Sequence, residues 1–277
     1  MKTTLYVLAI VQLAFASTSF ADSDKKQTIP DLAMAKQYAK AQLEIEKIRA
    51  SKTPDWAAAS VQFELMLPIV KYIDAKCEMQ YDKEIRDALK ECTAGHDIET
   101  NDEILGKGLQ HIAVLAIRQE LDLMAADPNN IKPCAERIAA YFEGIRPTFV
   151  RRDKGFFEGK KTLEASADEA LTQLSKADKS SLLTASMQLE DVIARTYALS
   201  MLYEISEIEK MRSSDVALCD GKRTEAKMFY RIIQQRIEKR SPKINEIIVN
   251  TLNGSYDTMN SQSLEKDLVT ALGFKLR

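Results

Sequence analysis

Several groups of residues in this 277-residue chain carry side chains whose types and spacing could do chemistry. In His96-Asp97-Ile98-Glu99-Thr100-Asn101-Asp102-Glu103, the oxygens of Asp97, Glu99 and Asn101 stand where a calcium loop places its first three ligands. The pattern then breaks, because Asp102 occupies the glycine position of the sharp turn and Gly108 the position of the bidentate acid. Asp102 and Glu103 suit the first turn of a helix instead, where acids meet the positive end of the dipole. The segment therefore predicts a helix start, and neither a metal site nor a cofactor is expected.

His111 shares one helical face with Lys107, Arg118 and Asp122. Such a polar stripe either lines a pocket or forms a half-exposed face with an Arg118–Asp122 pair. With His96 and His111 the only histidines, base-assisted nucleophilic catalysis finds little support. No G-x-S-x-G, H-E-x-x-H or phosphate-binding glycine loop is present. Arg195 interrupts an apolar run one turn after Asp191. A buried guanidinium needs partners, so Arg195 either pairs internally or holds an anionic ligand.

The stretch around Phe149, Arg151, Arg152, Phe156 and Phe157 is basic and aromatic, the composition that interface hot spots use. It could equally dock on anionic lipid headgroups, a peripheral membrane contact. The plainer alternative folds the phenylalanines onto the core and leaves the arginines solvated.

The four cysteines, Cys77, Cys92, Cys134 and Cys219, form no C-x-x-C pair. An even count in an exported chain predicts two disulfides, and nearest-neighbour pairing would give Cys77–Cys92 and Cys134–Cys219. Geometry resists the first. In a tight hairpin turning near Gln80-Tyr81, Cys92 lies roughly 12 Å along the axis from the residue opposite Cys77, and a disulfide needs Cα atoms within about 7 Å.

Ten helices must position these residues, near 30–51, 54–76, 82–94, 101–126, 133–145, 166–176, 180–212, 222–240, 242–252 and 263–272. Their starts are marked by Thr53-Pro54, Lys132-Pro133 and Ser241-Pro242, and by capping boxes at Thr100/Glu103 and Ser166/Glu169. Pro68 falls inside the second. Ile112–Ile117 and Thr196–Tyr203 are apolar or nearly so on every face, so their helices should be surrounded by others. With nine Gly and seven Pro, the chain is too poor in turn formers for an all-β fold. The prediction is one compact all-α domain over 22–277, an irregular bundle with two disulfides. Its longest irregular stretch, 146–165, would be a subdomain break.

Residues 1–21 combine basic Lys2, the apolar run Leu5–Ala16 and small residues ending at Ala21. That is the pattern of a secretory signal peptide cleaved after Ala21. The run is shorter than the about 20 residues that span a bilayer, so no membrane span is expected. The location predicted is a bacterial periplasm, or otherwise secretion. Lys/Arg against Asp/Glu number 16 to 22 over residues 22–145 and 22 to 19 over 146–277, so neither half has the basic excess of a nucleic-acid binder. The function class that follows is an exported soluble helical protein with no catalytic motif, acting by protein–protein recognition as an inhibitor or immunity factor, an adaptor or an assembly chaperone. A small-ligand carrier with a pocket near His111, Arg118 or Arg195 is the second class, and an enzyme with a dispersed site the third.

Overall fold

Local capping chemistry builds ten α-helices among the residues that the computed structural model describes, 29–277. The leader expected over 1–21 lies outside the described residues. The helices are α1 (Leu32–Arg49), α2 (Trp56–Cys77), α3 (Tyr81–Ala94), α4 (Ile98–Ala126), α5 (Ile131–Phe156), α6 (Leu163–Ser175), α7 (Leu182–Met211), α8 (Val216–Arg240), α9 (Pro242–Asn253) and α10 (Ser261–Leu272). Asp31, Asp55, Asp215 and Asn260 each accept a first-turn backbone N–H, the standard helix-opening bond. No strand occurs among the described residues.

Four boundaries differ from expectation by three residues or more. Helix α4 opens after Asp97, so Thr100 lies inside its first turn and the Thr100/Glu103 capping box does not form. The other three have a physical reason. Helix α5 does not stop at Ile145. It continues through Pro147 to Phe156, because Phe149, Arg152 and Asp153 beyond the proline are all buried. Packing outweighs the one backbone hydrogen bond that proline removes. The irregular stretch expected over 146–165 therefore shrinks to the turn 157–162. Helix α6 starts before Ser166, because the Asp153 carboxylate accepts the N–H groups of Leu163 and Glu164 at 2.7 and 3.0 Å. Helix α8 starts before residue 222, at the Asp215 cap.

A single connected cluster of buried side chains runs from Ala35 to Leu276 and draws on all ten helices. Helix α4 is its axis, packed against α1, α2, α3, α5, α7 and α8. Every α4 residue from Leu105 to Ile117 is buried, as the all-round apolar pattern predicts. Helix α7 is the second central element, buried from Val192 to Ile205 apart from half-buried Arg195 and Tyr203. No helix among the described residues is long and apolar enough to cross a membrane.

The two disulfides are not formed, and all four cysteines are free thiols. Cys77 ends α2 whereas Cys92 lies in the last turn of α3. The eleven-residue rise from Tyr81 to Cys92 puts them at opposite ends of that helix, roughly 16 Å apart along its axis. Cys134 sits beside Arg137, which is bonded to Glu120 near the end of α4. Cys219 lies two residues before Gly221, where an added Cβ would stand 3.5 Å from Glu99 at the start of α4. Those two points are roughly 30 Å apart along α4, far beyond disulfide reach.

Burial raises the thiol pKa of all four, to about 11 for Cys92 and about 12 for Cys134. They are protonated and poorly nucleophilic at neutral pH. A thiol-reactive chromophore should therefore react slowly with native protein and titrate all four cysteines once the chain is unfolded in denaturant without reductant. Fewer than four thiols after unfolding would mean that the pairing argument fails.

Candidate functional site

A helix buried on every side must also bury its polar residues, and α4 carries Lys107, Gln110 and His111 inside the core. The Lys107 ammonium meets Glu103 one turn earlier at 3.1 Å and Glu225 of α8 at 3.1 Å, over the Phe229 ring. Glu225 also takes Lys222 at 3.1 Å, and Lys222 reaches Glu204 of α7 at 2.8 Å. Glu204 lies 3.9 Å from Arg152 of α5, whose guanidinium covers the Tyr203 ring. At the other end, Glu103 faces Arg49 of α1, which forks onto Asp102 at 2.5 and 3.0 Å. Charges of alternating sign thus run through five helices. The guanidinium of Arg49 crosses α4 directly over Gly106, where a Cβ would stand 1.7 Å from Nη1.

This chain tunes its own members. Burial and the adjacent Glu225 carboxylate raise Glu204 to about 7. Burial pushes Glu225 the same way, but Lys107 and Lys222 outweigh it and hold its carboxyl below the ordinary range. His111 shares a 2.6 Å hydrogen bond between Nδ1 and the Tyr81 hydroxyl. Burial first, then Arg118 and Arg231, keep its imidazole neutral. Gln110 accepts hydroxyl bonds from Thr148 at 3.0 Å and Tyr197 at 3.2 Å. Alternating ion pairs and a closed hydroxyl–amide cluster are structural glue.

The residues singled out in the sequence end in different places. Phe149 is fully buried against Phe142, and Arg152 belongs to the ionic chain. Arg151 is exposed and bonds Thr148, while Phe156 and Phe157 are half-buried beneath Arg277 and Arg195. The five therefore make no common exposed patch. His111 lines no cavity among those described. Arg118 pairs with Glu190 of α7 at 3.0 Å, rather than with Asp122, and its Nη1 donates to the Ile232 carbonyl at 3.1 Å. Arg195 makes no ion pair with Asp191, which is taken by Arg236. Its Nε donates to the Leu276 carbonyl at 2.7 Å. Asp102 and Glu103 from the calcium-like segment face Arg49, and among the described residues no group of three metal-ligating side chains forms.

Two of the cavities among the described residues carry the arginines singled out in the sequence, Arg118 and Arg195. The larger, about 530 Å³, is a groove between the end of α4, the first turns of α7 and the end of α8. Leu121, Met124 and Leu182 form its apolar lining, with Arg118, Asp122 and Arg236 among its polar walls. The smaller, about 320 Å³, lies between α6, α7 and residues 274–275, with Arg195 in its wall. Both volumes fall in the range of ligand sites. Sequence reasoning found Arg118 and Arg195 but missed Leu183, Met187, Lys179 and Arg240 at the groove's rim. The apolar i, i+4 pair Leu183/Met187 was the available signal.

Comparison with known proteins adds no relative. No family model, curated protein or solved structure matches this chain.

Two predictions follow from the ionic chain. Gly106→Ala forces Arg49 off its carboxylates and should cost about 2–3 kcal/mol, somewhat less than outright loss of a buried pair because alanine favours the helix. Gly108→Ala meets only Ile85, at 3.7 Å, and should be neutral or slightly stabilising in the same urea melts. Equal effects of the two substitutions would remove the role given to Arg49.

The second concerns pH. Glu204 holds its proton more tightly in the folded state than its ordinary 4.5, so its stabilising contribution is complete at low pH and fades as pH rises towards about 7. His111 acts oppositely, because the unfolded imidazole takes a proton below its ordinary 6.5 and the folded one does not. Between about pH 4.5 and 6.5 the two slopes offset each other. Glu204→Gln leaves the histidine slope alone. Its stability in urea should fall more steeply on acidification than the wild type's, by up to about 1.4 kcal/mol per pH unit. Parallel profiles would show that Glu204 does not titrate in that window.

Proposed function

We propose that this protein works by recognising another protein, and that the partner docks an acidic amphipathic helix in the groove between α4, α7 and α8. The observation that carries this reading is the pair Leu183 and Met187, 70% and 57% exposed, on one face of α7 beside the groove. Large apolar side chains left open next to an apolar recess are what a partner's helix covers. Anchors spaced one turn apart suit helix-in-groove recognition.

Charge supports the acidic character of the partner. Within the groove wall, Arg118 is neutralised by Glu190 and Arg236 by Asp191. Lys179 and Arg240 form no ion pair among the described residues, and both line the groove. Among the described groove residues, a single unpaired carboxylate stands against these two cations, Asp122. The rim is therefore net cationic, which steers an acidic segment towards it. We also infer that this recognition takes place in the periplasm, or outside the cell, because residues 1–21 read as an export leader. An inhibitor or immunity factor, an adaptor and an assembly chaperone all fit this mode of action.

The test uses a fluorescein-labelled helical peptide with Leu at i, i+3, i+4 and i+7 and Glu on its flanks. Its anisotropy should saturate with the full protein, and a Lys-flanked version should bind at least roughly tenfold more weakly. Leu183→Glu with Met187→Glu should weaken the Glu-flanked peptide by a similar factor without changing the melting temperature, because both side chains are exposed. Equal binding to wild type and double variant would overturn the reading. Saturable decanoate binding lost in the variant, with no peptide binding, would instead make the groove that of a small-ligand carrier.

A further inference from the structure

Arg195 is a cation on a central helix with no ion-pair partner among the described residues; the one carboxylate that acts on it, Asp153, is already taken by the N–H groups of Leu163 and Glu164. Its Nε is spent on the Leu276 carbonyl at 2.7 Å, and its guanidinium carbon lies 5.3 Å from the centre of the Phe157 ring. Among the described residues its two terminal nitrogens meet no acceptor. They belong to a side chain in the wall of the about 320 Å³ cavity between α6, α7 and residues 274–275. The carbonyl and the ring fix the plane of the guanidinium before anything binds, so little rotamer freedom remains to be lost.

The surrounding wall narrows the ligand. Lys275 adds a second positive charge and Glu169 a negative one, while Asp191 is already neutralised by Arg236. One net positive charge fits a monoanion better than a phosphate dianion. Ala170, Val192 and Phe274 supply an apolar side, which an inorganic ion would leave unused. The volume lies at the small end of ligand sites, so the body is compact.

We propose that this cavity binds a small organic carboxylate, with the carboxylate on the terminal nitrogens of Arg195 and the apolar body against Val192 and Phe274. The site is separate from the helix-docking groove, although Asp191 borders both.

Benzoate is the probe, titrated into the full protein by calorimetry and followed by the NMR signal of the Arg195 Nε–H group. Binding should saturate at one benzoate per protein, and that signal should move with it. Arg195→Lys keeps the charge but loses the planar fork and should weaken benzoate at least tenfold. Ser166→Trp, at an exposed cavity-lining position, should block benzoate with the melting temperature unchanged. Leu183→Glu with Met187→Glu should leave benzoate binding intact, which separates this site from the groove. Benzyl alcohol should not compete, since it lacks the charge. No saturable binding to the wild type, unchanged affinity in both Arg195→Lys and Ser166→Trp, or tighter binding of inorganic phosphate than of benzoate would overturn the proposal.

Discussion

Lys107 sits in the stretch Leu105–Ile117 of α4, which has no solvent-facing side, so its ammonium has to be neutralised from within the core. Much of the packing follows from that requirement. Glu103 answers from the same helix and Glu225 from α8, and Glu225 then needs its own surroundings, which bring Lys222, Glu204 of α7 and Arg152 of α5 into line. Buried ion pairs add little net stability against apolar replacements, but breaking one leaves an uncompensated charge at a cost of about 3–5 kcal/mol. The chain of charges therefore acts on register. Sliding α8 by one turn, about 5.4 Å, would separate Lys107 from Glu225 with nothing to replace either. Arg49 extends the same control to α1, provided that Gly106 leaves room for its guanidinium.

The helices were legible in the sequence because their signals are local. Caps, prolines and all-round apolar runs act within a turn or two, and the axial roles of Ile112–Ile117 and Thr196–Tyr203 emerged from composition alone. What misled were features whose meaning is tertiary. Pro147 reads as a helix stop, yet Phe149 and Arg152 are wanted in the core and carry the helix past it. An even cysteine count suggests pairing, but it contains no distances, and α4 holds Cys134 and Cys219 near its opposite ends. The Arg/Phe stretch has the composition of an interface, while three-dimensional neighbours such as Phe142, Tyr203 and Glu204 absorb most of it. Arg118 and Arg195 stood out for the opposite reason. A charged residue in an apolar run is conspicuous wherever its partner lies.

Neither cavity is the product of one segment. The groove is assembled from residues as distant as Arg118, Leu183 and Arg240, and the smaller cavity from Ser166, Arg195 and Lys275. The Arg236–Asp191 pair stands between them, and the Arg236 guanidinium also lies 5.6 Å from the Phe274 ring. This pair has a double role. It neutralises two charges at the boundary of the two cavities, and it ties α8 to α7 there. Binding at the two proposed sites thus turns on which cations are already matched and which are left over.

The segment after α10 gives the fold a direction in time. Leu276 is buried, its carbonyl holds Arg195 from 81 residues away, and Arg277 reaches back to Glu265 and the Phe156 ring. Until residue 276 has been made, α7 carries a guanidinium with no acceptor and an open apolar seam beside α6. A nascent chain paused short of that point has its helices but not its closure, and the long loop that remains to be closed makes this a late step.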